Sequence, residues 1–486
     1  MKKGILTFAI IIAVIAANAQ NERDAYRYSQ DGTFGTARYM SLAGSMGAFG
    51  ADFSLLSQSN PAAIGLYKRS EFTFTPTIHY KKTASDYNGT SSYANKYRFT
   101  MDNLGMVFAF NIHNNTKWKM AQFATGYVHT SDYNGMSLVR GNNNNNGITS
   151  SFIDYLAPLV NGREYSSLGM GNTLADKIYY HWLIDTIPGY SDQYTSLVDD
   201  EMYQKQTQTT KGYKGEYIFS GGANYNDQLY IGLTLGIPFF SYTSNRIYSE
   251  GENTHYDSLV FSDYYKENGS GVNLKLGLIY QPLSFMRIGV GFHTPSFYNK
   301  VKSNYQQILS MYHVENVDSV NYEFTYADGY FNYTLITPYK IMANVGFMFK
   351  NWGFVNVDYE MTDYSTMQLQ ADVNDYDFEM ENNNIKSYYK ATHTIRVGAE
   401  FNVNPLSFRL GYAYMTNPYT QEINIDGSRH TISGGIGFKS KNFFMDFAYA
   451  YRIYNDQNKF YNAEKLSNFQ QNMKHQTFTL TIGFKL

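Results

Sequence analysis

The 486 residues include no cysteine, which removes disulfides, thiolate metal sites, thiol nucleophiles and a lipid-bearing cysteine. Charge is sparse: 16% of residues are Asp, Glu, Lys or Arg, against roughly 25% in ordinary soluble domains. The 39 basic residues do not outnumber the 41 acidic ones, so no nucleic-acid partner is expected. No apolar run reaches the roughly 20 residues that a membrane-crossing helix needs. Mean hydropathy is −0.41, which argues against a helical bundle in lipid. What the chain has instead is 47 Tyr, 34 Phe and 39 Gly. That composition suits a membrane β-barrel, where one face of each strand meets lipid and the other a polar lumen. Length alone would suggest about three domains.

The N-terminus reads as an export signal. Lys2 and Lys3 precede an apolar run from Ile5 to Ala17, and Ala17-Asn18-Ala19 is a small-x-small cleavage site. Residues 1–19 are expected to be a signal peptide, leaving Gln20 first in the mature chain. An exported chain without later spanning helices stays in a membrane chiefly as a closed barrel, because every backbone polar group in lipid must pair internally. The expected location is the outer membrane of a Gram-negative bacterium, crossed many times.

Alternation supports that reading. From Thr477 to Leu486, apolar residues occupy the even positions and polar or small residues the odd ones. The same period runs through Leu229–Ile237, Leu406–Tyr414 and Phe443–Ile453. Fourteen such segments begin near 71, 97, 117, 213, 228, 270, 284, 333, 352, 386, 405, 428, 442 and 473. Short turns near Asn114, Asn226, Pro282, Asn351, Asn404 and Lys441 alternate with longer loops, at 83–96, 132–212, 247–269, 302–332, 366–385, 419–427 and 455–472. Tight turns at one end and long loops at the other mark outer-membrane barrels. The fold class is therefore all-β: a transmembrane antiparallel β-barrel of fourteen strands over residues 71–486. Pro238 and Pro338 fall inside proposed strands and imply a bulge, kink or strand end. Arg287, Arg396, Arg409, Arg452, Glu400 and Asp446 are assigned to the inward face. There the arginines either pair across the lumen or hold a ligand carboxylate, which suits a planar guanidinium.

Residues 20–70 precede the first strand and are rich in Gly, Ala and Ser. Asn60-Pro61-Ala62 is a helix-start signal, Asn as cap and Pro in the first position. About fifty residues of compact chain at this place can fold into the lumen as a plug. The stretch Gly35-Thr36-Ala37-Arg38 through Gly44, Gly47, Asp52 and Asn60-Pro61-Ala62 resembles the N-terminal hatch of the outer-membrane long-chain fatty acid and aromatic-hydrocarbon transporters. The resemblance continues in Leu276–Tyr280, Arg287–His293, Thr337-Pro338, Arg409–Tyr414 and Gly435–Phe438, and is weakest in the loop at 132–212.

This resemblance implies a fourteen-stranded barrel plugged by a hatch, and passive uptake of hydrophobic small molecules. The ligand would enter at an outer groove, pass inward as the hatch shifts, and leave sideways beside a kinked third strand. Asn60, Pro61 and Ala62 become the expected gating residues. The third strand ends in Asp132, Tyr133, Asn134 and Gly135, the candidate lateral opening, where Asn-Gly favours positive φ and a break in pairing. In the largest loop, Leu174, Ile178 and Trp182 recur every fourth residue and form the candidate outer groove. Arg287, Arg396 and Arg409 are the luminal ligand candidates. Expected partners are the hydrophobic ligand, outer-membrane lipid and the barrel-assembly machinery, which would engage the C-terminal strand 477–486.

No cofactor or metal is expected, since the ten His follow no metal or catalytic spacing. An enzyme is not expected: no Gly-x-Ser-x-Gly elbow appears. The alternatives are a haem-binding outer-membrane receptor and, less favoured, an outer-membrane lipid hydrolase. Asp372, Asn374, Asp375, Asp377, Glu379 and Glu381 offer oxygens for Ca²⁺ but lack the glycine of an EF-hand loop, so a solvated loop is the preferred reading.

Overall fold

The computed structural model describes residues 22–486 apart from 113–115, 146, 169–173, 181, 252–254, 315–321, 372–376, 424 and 462–464. The signal-peptide segment and the acidic residues Asp372, Asn374 and Asp375 lie outside the described residues.

Antiparallel strands pair in chain order and close through the first and last. They are β1 (Glu71–Tyr87), β2 (Thr90–Asn111), β3 (Trp118–Asp132, resuming as Gly135–Asn142), β4 (Tyr203–Tyr225), β5 (Leu229–Gly251) and β6 (Tyr256–Leu283). β7 (Met286–His293, resuming as Phe297–Val314), β8 (Tyr322–Ile336, resuming as Lys340–Met348) and β9 (Gly353–Asp363, resuming as Gln368–Ala371) each contain a break. β10 (Ala391–Val403), β11 (Leu406–Met415), β12 (Arg429–Lys439), β13 (Phe443–Asn458) and β14 (Phe469–Lys485) complete the barrel of fourteen. Side chains alternate as a pleated strand dictates. Along β5, Leu233, Leu235 and Ile237 are exposed while Thr234 is buried. Along β14, Phe478 and Phe484 point out and Thr477, Thr479 and Thr481 point in. The exposed apolar side is the lipid belt expected of such a barrel.

The strands run further than alternation indicated. The expected loop at 83–96 is instead a continuous hairpin turning on Asn88 and Gly89, with φ of 45° and 79°. Two positive φ values in a row make the tight turn whose twist matches the strands. Lys81 to Asn95 are mostly polar on both faces, so no apolar period marks them as strand. Near 386, where a strand was expected to begin, helix Glu379–Tyr388 intervenes and β10 starts at Ala391. That helix is tied down by Asn382, whose side chain bonds both the N–H and the C=O of Leu369, each at 2.9 Å.

The prolines mark irregular wall, as their missing donor requires. Pro238 stays within β5, but the β5–β6 ladder passes from Gly236–Asn273 to Phe239–Ser270. Pro338 and Pro295 lie in the facing breaks of β8 and β7. There Ser296 N–H donates to Thr337 Oγ1 at 2.8 Å and Thr337 N–H to the Ser296 carbonyl at 3.1 Å.

Inside the barrel lies a plug of α1 (Glu22–Ser29), α2 (Ala37–Ser41), α3 (Leu55–Gln58) and a 3₁₀ turn (Pro61–Leu66). Thr36 caps α2, its Oγ1 accepting from Tyr39 N–H at 3.2 Å. The plug is stitched to the closing seam. Ala37 N–H donates to Thr481 Oγ1 of β14 at 2.7 Å, and Leu486 N–H to the Ser70 carbonyl at 2.9 Å.

The long-loop end carries a cap built mainly from the β3–β4 loop. Phe152, Ile153, Leu156, Ile178 and Tyr194 of that loop form one buried cluster with Tyr87, Tyr248, Tyr256 and Phe460. Its polar anchor is Glu250, a buried carboxylate. It accepts from Ser151 Oγ at 2.7 Å, Phe152 N–H at 2.9 Å, Tyr256 OH at 2.6 Å and Tyr248 OH. Charge-assisted bonds of this kind are about twice as strong as neutral ones. Glu250→Ala should loosen the loop without opening the barrel: proteolysis within 143–202 should become faster, while the folded band on heat-dependent electrophoresis persists.

Candidate hatch seat and lateral opening

The plug sits against the wall where the wall has no side chains. Gly222, Gly232, Gly277 and Gly291 come from β4, β5, β6 and β7 and pair in one row across the barrel. A methyl group on Gly232 would lie 2.2 Å from the Pro61 carbonyl oxygen, and one on Gly277 2.1 Å from Asn60 Oδ1. A second seat is the pair Gly398–Gly411, where a methyl on Gly411 would meet the Leu42 backbone at 2.2 Å. A third is Gly105 facing Gly126 on β2 and β3, which receives the Phe53 ring.

Polar ties hold the plug in these seats. Asn60 is fully buried. Its Oδ1 accepts from Ala62 N–H at 3.0 Å, while Nδ2 donates to the carbonyls of Leu278 and Val290, each at 3.2 Å, and to Asn344 Oδ1 at 3.1 Å. Asn60 thus serves as helix cap and as wall tie at once. Pro61 and Ala62 are buried beside it on the glycine row. Asp358 of β9 receives the N–H groups of Met46 and Gly47, both at 2.9 Å. Arg38 of the plug pairs with Glu400 at 2.8 Å; Glu400 also pairs with Arg409 at 2.7 Å, and Arg409 with Asp446 at 2.6 Å. Asp31 bonds Lys214 at 2.8 Å and also Lys340. Burial disfavours the Asp31 charge, but Lys214 and Lys340 outweigh it and hold the carboxyl well below its ordinary range.

Beside the third seat the wall opens. The β2–β3 ladder runs from Asn111–Met120 to Asn103–Val128 and stops. Residues 91–101 of β2 stay paired to β1, Asp102 bulges between the Pro76–Met101 and Thr75–Asn103 pairs, and none of them has a ladder partner on the β3 side. β3 meanwhile remains paired to β4 through Asp132–Tyr213 and Gly135–Thr210. The result is a slit in the hydrogen-bond ladder between two neighbouring strands, which stay close together and are bridged by side chains. Arg98 donates to the Gly212 carbonyl at 2.6 Å and lies 3.3 Å from Asp132; Lys81 pairs with Asp132 at 2.8 Å. Tyr97 and Phe99 on its edge are exposed.

The candidate opening residues line this slit. Asp132 and Asn134 are buried, and Asn134 Nδ2 donates to the Gly212 carbonyl at 2.7 Å. Tyr133 OH donates to the Arg27 carbonyl of α1 at 3.4 Å. Asn134-Gly135 does not turn, since neither residue has positive φ, but the β3–β4 ladder is interrupted at Tyr133–Asn134, between the Asp132–Tyr213 and Gly135–Thr210 pairs. The three arginine candidates are spread apart. Arg409 is fully buried in its carboxylate pairs, Arg396 pairs with Glu360 at 3.0 Å, and Arg287 bonds Gln281 at 2.9 Å near the short-turn end. In the outer loop Ile178 is buried in the cap, while Trp182 lies beyond the helix end at Tyr180 with φ 57° and is 67% exposed. The Leu174 side chain lies outside the described residues.

Sequence spacing missed two features. One is an aromatic cluster between α1 of the plug and the wall, where Tyr28 stacks on Phe240 at 3.9 Å and Tyr26 on Tyr389 at 4.8 Å, with Tyr298, Tyr333 and Tyr364 around them. The other is a buried group of His79, His129 and His475 with Asp102 and Asp132. Both join strands far apart in the chain. A small polar cavity of about 40 Å³ lies between plug and wall, lined by Asp31, Lys214, Glu216, Lys275, His293 and Lys340.

No family model and no curated protein matches the chain. Solved structures do match in fold. A Pseudomonas aeruginosa FadL homologue aligns with a TM-score of 0.58 at 13% identity, covering 94% of this chain and 99% of that one. The Ralstonia pickettii toluene transporter TbuX gives 0.53 at 13%, covering 93% and 99%. The Pseudomonas putida toluene transporter TodX gives 0.53 at 10%, covering 94% and 99%. The chain has the fold of the FadL-type plugged barrels, across nearly its whole length.

Proposed function

We propose that the chain is an outer-membrane channel for passive uptake of small hydrophobic molecules, long-chain fatty acids foremost among them. The observation that carries this reading is the slit between β2 and β3. In this reading the plug closes the axial route, and the unladdered stretch between β2 and β3 serves as the way from the lumen to the lipid-facing surface. A water-soluble cargo has no use for an exit into lipid; an apolar one is stabilised by it. The aromatic cluster becomes a chamber for an apolar molecule once α1 leaves it, in the space now held by Tyr26 and Tyr28. TbuX and TodX, which share this fold, are toluene transporters, and that supports the same ligand chemistry for this chain.

In this reading the ligand enters through the cap, displaces α1 from the chamber, and passes the plug as its ties to the wall slacken. It leaves past Asp132 to Gly135. Uptake of radiolabelled oleate and toluene by cells lacking their own hydrophobic-compound channel tests it. The wild-type chain should raise uptake of at least one probe; no gain with either removes the function. A tryptophan at Gly135, where a methyl meets Thr210 Oγ1 at 3.0 Å and nothing else within 4 Å, should abolish most of the gain in a folded barrel. Undiminished uptake by folded Gly135→Trp removes the sideways route.

A further inference from the structure

His79 of β1, Asp102 of β2, His129 of β3 and His475 of β14 converge from four neighbouring strands, all buried. Their position is specific. The last backbone pair of the β2–β3 ladder is Asn103–Val128. The next rung would be Asp102 opposite His129, and there the backbones part while the side chains meet, Asp102 Oδ1 lying 2.9 Å from His129 Nδ1.

The proton inventory of this contact is informative. His129 Nε2 lies 2.7 Å from the Ser131 carbonyl, which can only accept, so that nitrogen carries a proton. In a neutral ring Nδ1 then presents a lone pair to a carboxylate oxygen. Two lone pairs at that distance need a cation between them, either a second proton on the ring or a metal ion. On the other side, Thr100 Oγ1 donates to Asp102 Oδ1 at 2.6 Å. His79 Nε2, 2.8 Å from Thr100 Oγ1 and 3.6 Å from the same Asp102 Oδ1, is therefore the donor to Thr100, and a metal ion taken up here displaces that proton. Asp102 Oδ2 is buried with no hydrogen-bond partner. An orphaned carboxylate oxygen, one imidazole with its tautomer fixed by a carbonyl and a second imidazole in reach make the donor set of a metal site with its outer shell in place.

The spacing fits as well. Ligand atoms about 2.0–2.2 Å from a zinc ion lie at most about 4.4 Å from each other. The observed 2.9 and 3.6 Å fall inside that limit. Nitrogen and oxygen donors without sulfur select a borderline divalent transition ion over Ca²⁺ or Mg²⁺. Phe34 of the plug covers the group from the lumen, stacked on His129 at 4.9 Å between centroids and edge-on to His79 at 5.6 Å.

We propose that His79, Asp102 and His129 bind one divalent transition-metal ion of the zinc class, which clasps β2 to β3 at the foot of the slit. The ion replaces the missing rung of the ladder with a metal bridge, under the Phe34 ring. This site does not depend on what the barrel carries, so its test stands apart from uptake.

Tag-free full-length protein, folded in detergent and stripped with chelator, is titrated with Co²⁺ and then Zn²⁺. One Co²⁺ per chain should bind, with visible absorption bands that Zn²⁺ displaces. Folded His129→Gln and Asp102→Asn should lose the bands, and zinc should raise the melting temperature of the wild type but not of these variants. X-ray absorption of the zinc-loaded wild type should show an imidazole shell, a readout that needs no variant. Absence of stoichiometric binding, a shell without imidazole, or full binding in folded His129→Gln overturns the proposal. Binding kept in His129→Gln but lost in His475→Gln overturns it too, since the ion would then sit on His79, Asp132 and His475.

Discussion

Leucine at Gly232 and Gly277 together should drive the Asn60–Leu66 turn off the wall and turn a closed barrel into a conducting pore. The added side chains would meet the Pro61 carbonyl and the Asn60 side chain at 2.2 and 2.1 Å, closer than real contacts allow. Neither neighbour is the loose end of a flexible chain: one is backbone, and the other is held by four hydrogen bonds. Overpacking of this kind costs about 1–3 kcal/mol per site, and about 1.4 kcal/mol is already tenfold in an equilibrium constant. The cost falls on plug docking, because both strands keep their ladder bonds. Planar-bilayer recordings should show large open steps in the double variant while the barrel stays folded. Gly221→Leu is the control, since a methyl there meets nothing within 4 Å. A double variant as quiet as Gly221→Leu would show that the glycine row does not seat the plug.

Arg409→Met should cost far more stability than Arg287→Met. Arg409 is fully buried and sits between Glu400 and Asp446. Removing it leaves two carboxylates facing each other, with Arg38 to compensate only the first. Breaking a buried pair from one side costs about 3–5 kcal/mol. Arg287 is half-buried, bonds the amide of Gln281 and lies over the rings of Phe49 and Tyr230 at 5.5 and 5.6 Å. Its loss removes a contact without stranding a charge. Urea unfolding of the folded barrels gives the comparison. Equal midpoints for the two variants would mean that water screens the Arg409 pairs.

Much of the fold was legible because lipid imposes a period. Wherever a strand crosses the apolar belt, as in Leu229–Ile237 or Thr477–Leu486, alternation announces it and the number of strands follows. Above the belt the residues of both faces are mostly polar, even where one face is buried as at Thr83, Ser85 and Ser92, so Lys81–Asn95 carried no apolar period and read as loop. The helix at 379–388 escaped because Ile385 is nearly its whole buried apolar content. The candidate site was legible in part. Asn60-Pro61-Ala62 announced a local cap, but its ties to Leu278, Val290 and Asn344 depend on strands more than 200 residues away. Asn134-Gly135 announced an interruption in β3, and the ladder to β4 does break at Tyr133–Asn134, though without the positive φ that the pair favours. The histidines could not be grouped at all. His79, His129 and His475 become neighbours through strand order and barrel closure, which no spacing in the chain encodes.

The seam has a consequence for how the molecule is made. Ala37 bonds Thr481 across 444 positions, and Ser70 holds the final residue, Leu486. The plug precedes the barrel in the chain, yet part of its seat belongs to β14, more than 400 positions downstream. Until β14 joins β1, that seat is missing and the small, polar N-terminal segment has little to collapse against. Contacts of such high sequence separation form late and slowly. The plug is therefore first in synthesis and last in maturation, and its docking reports that the cylinder has shut.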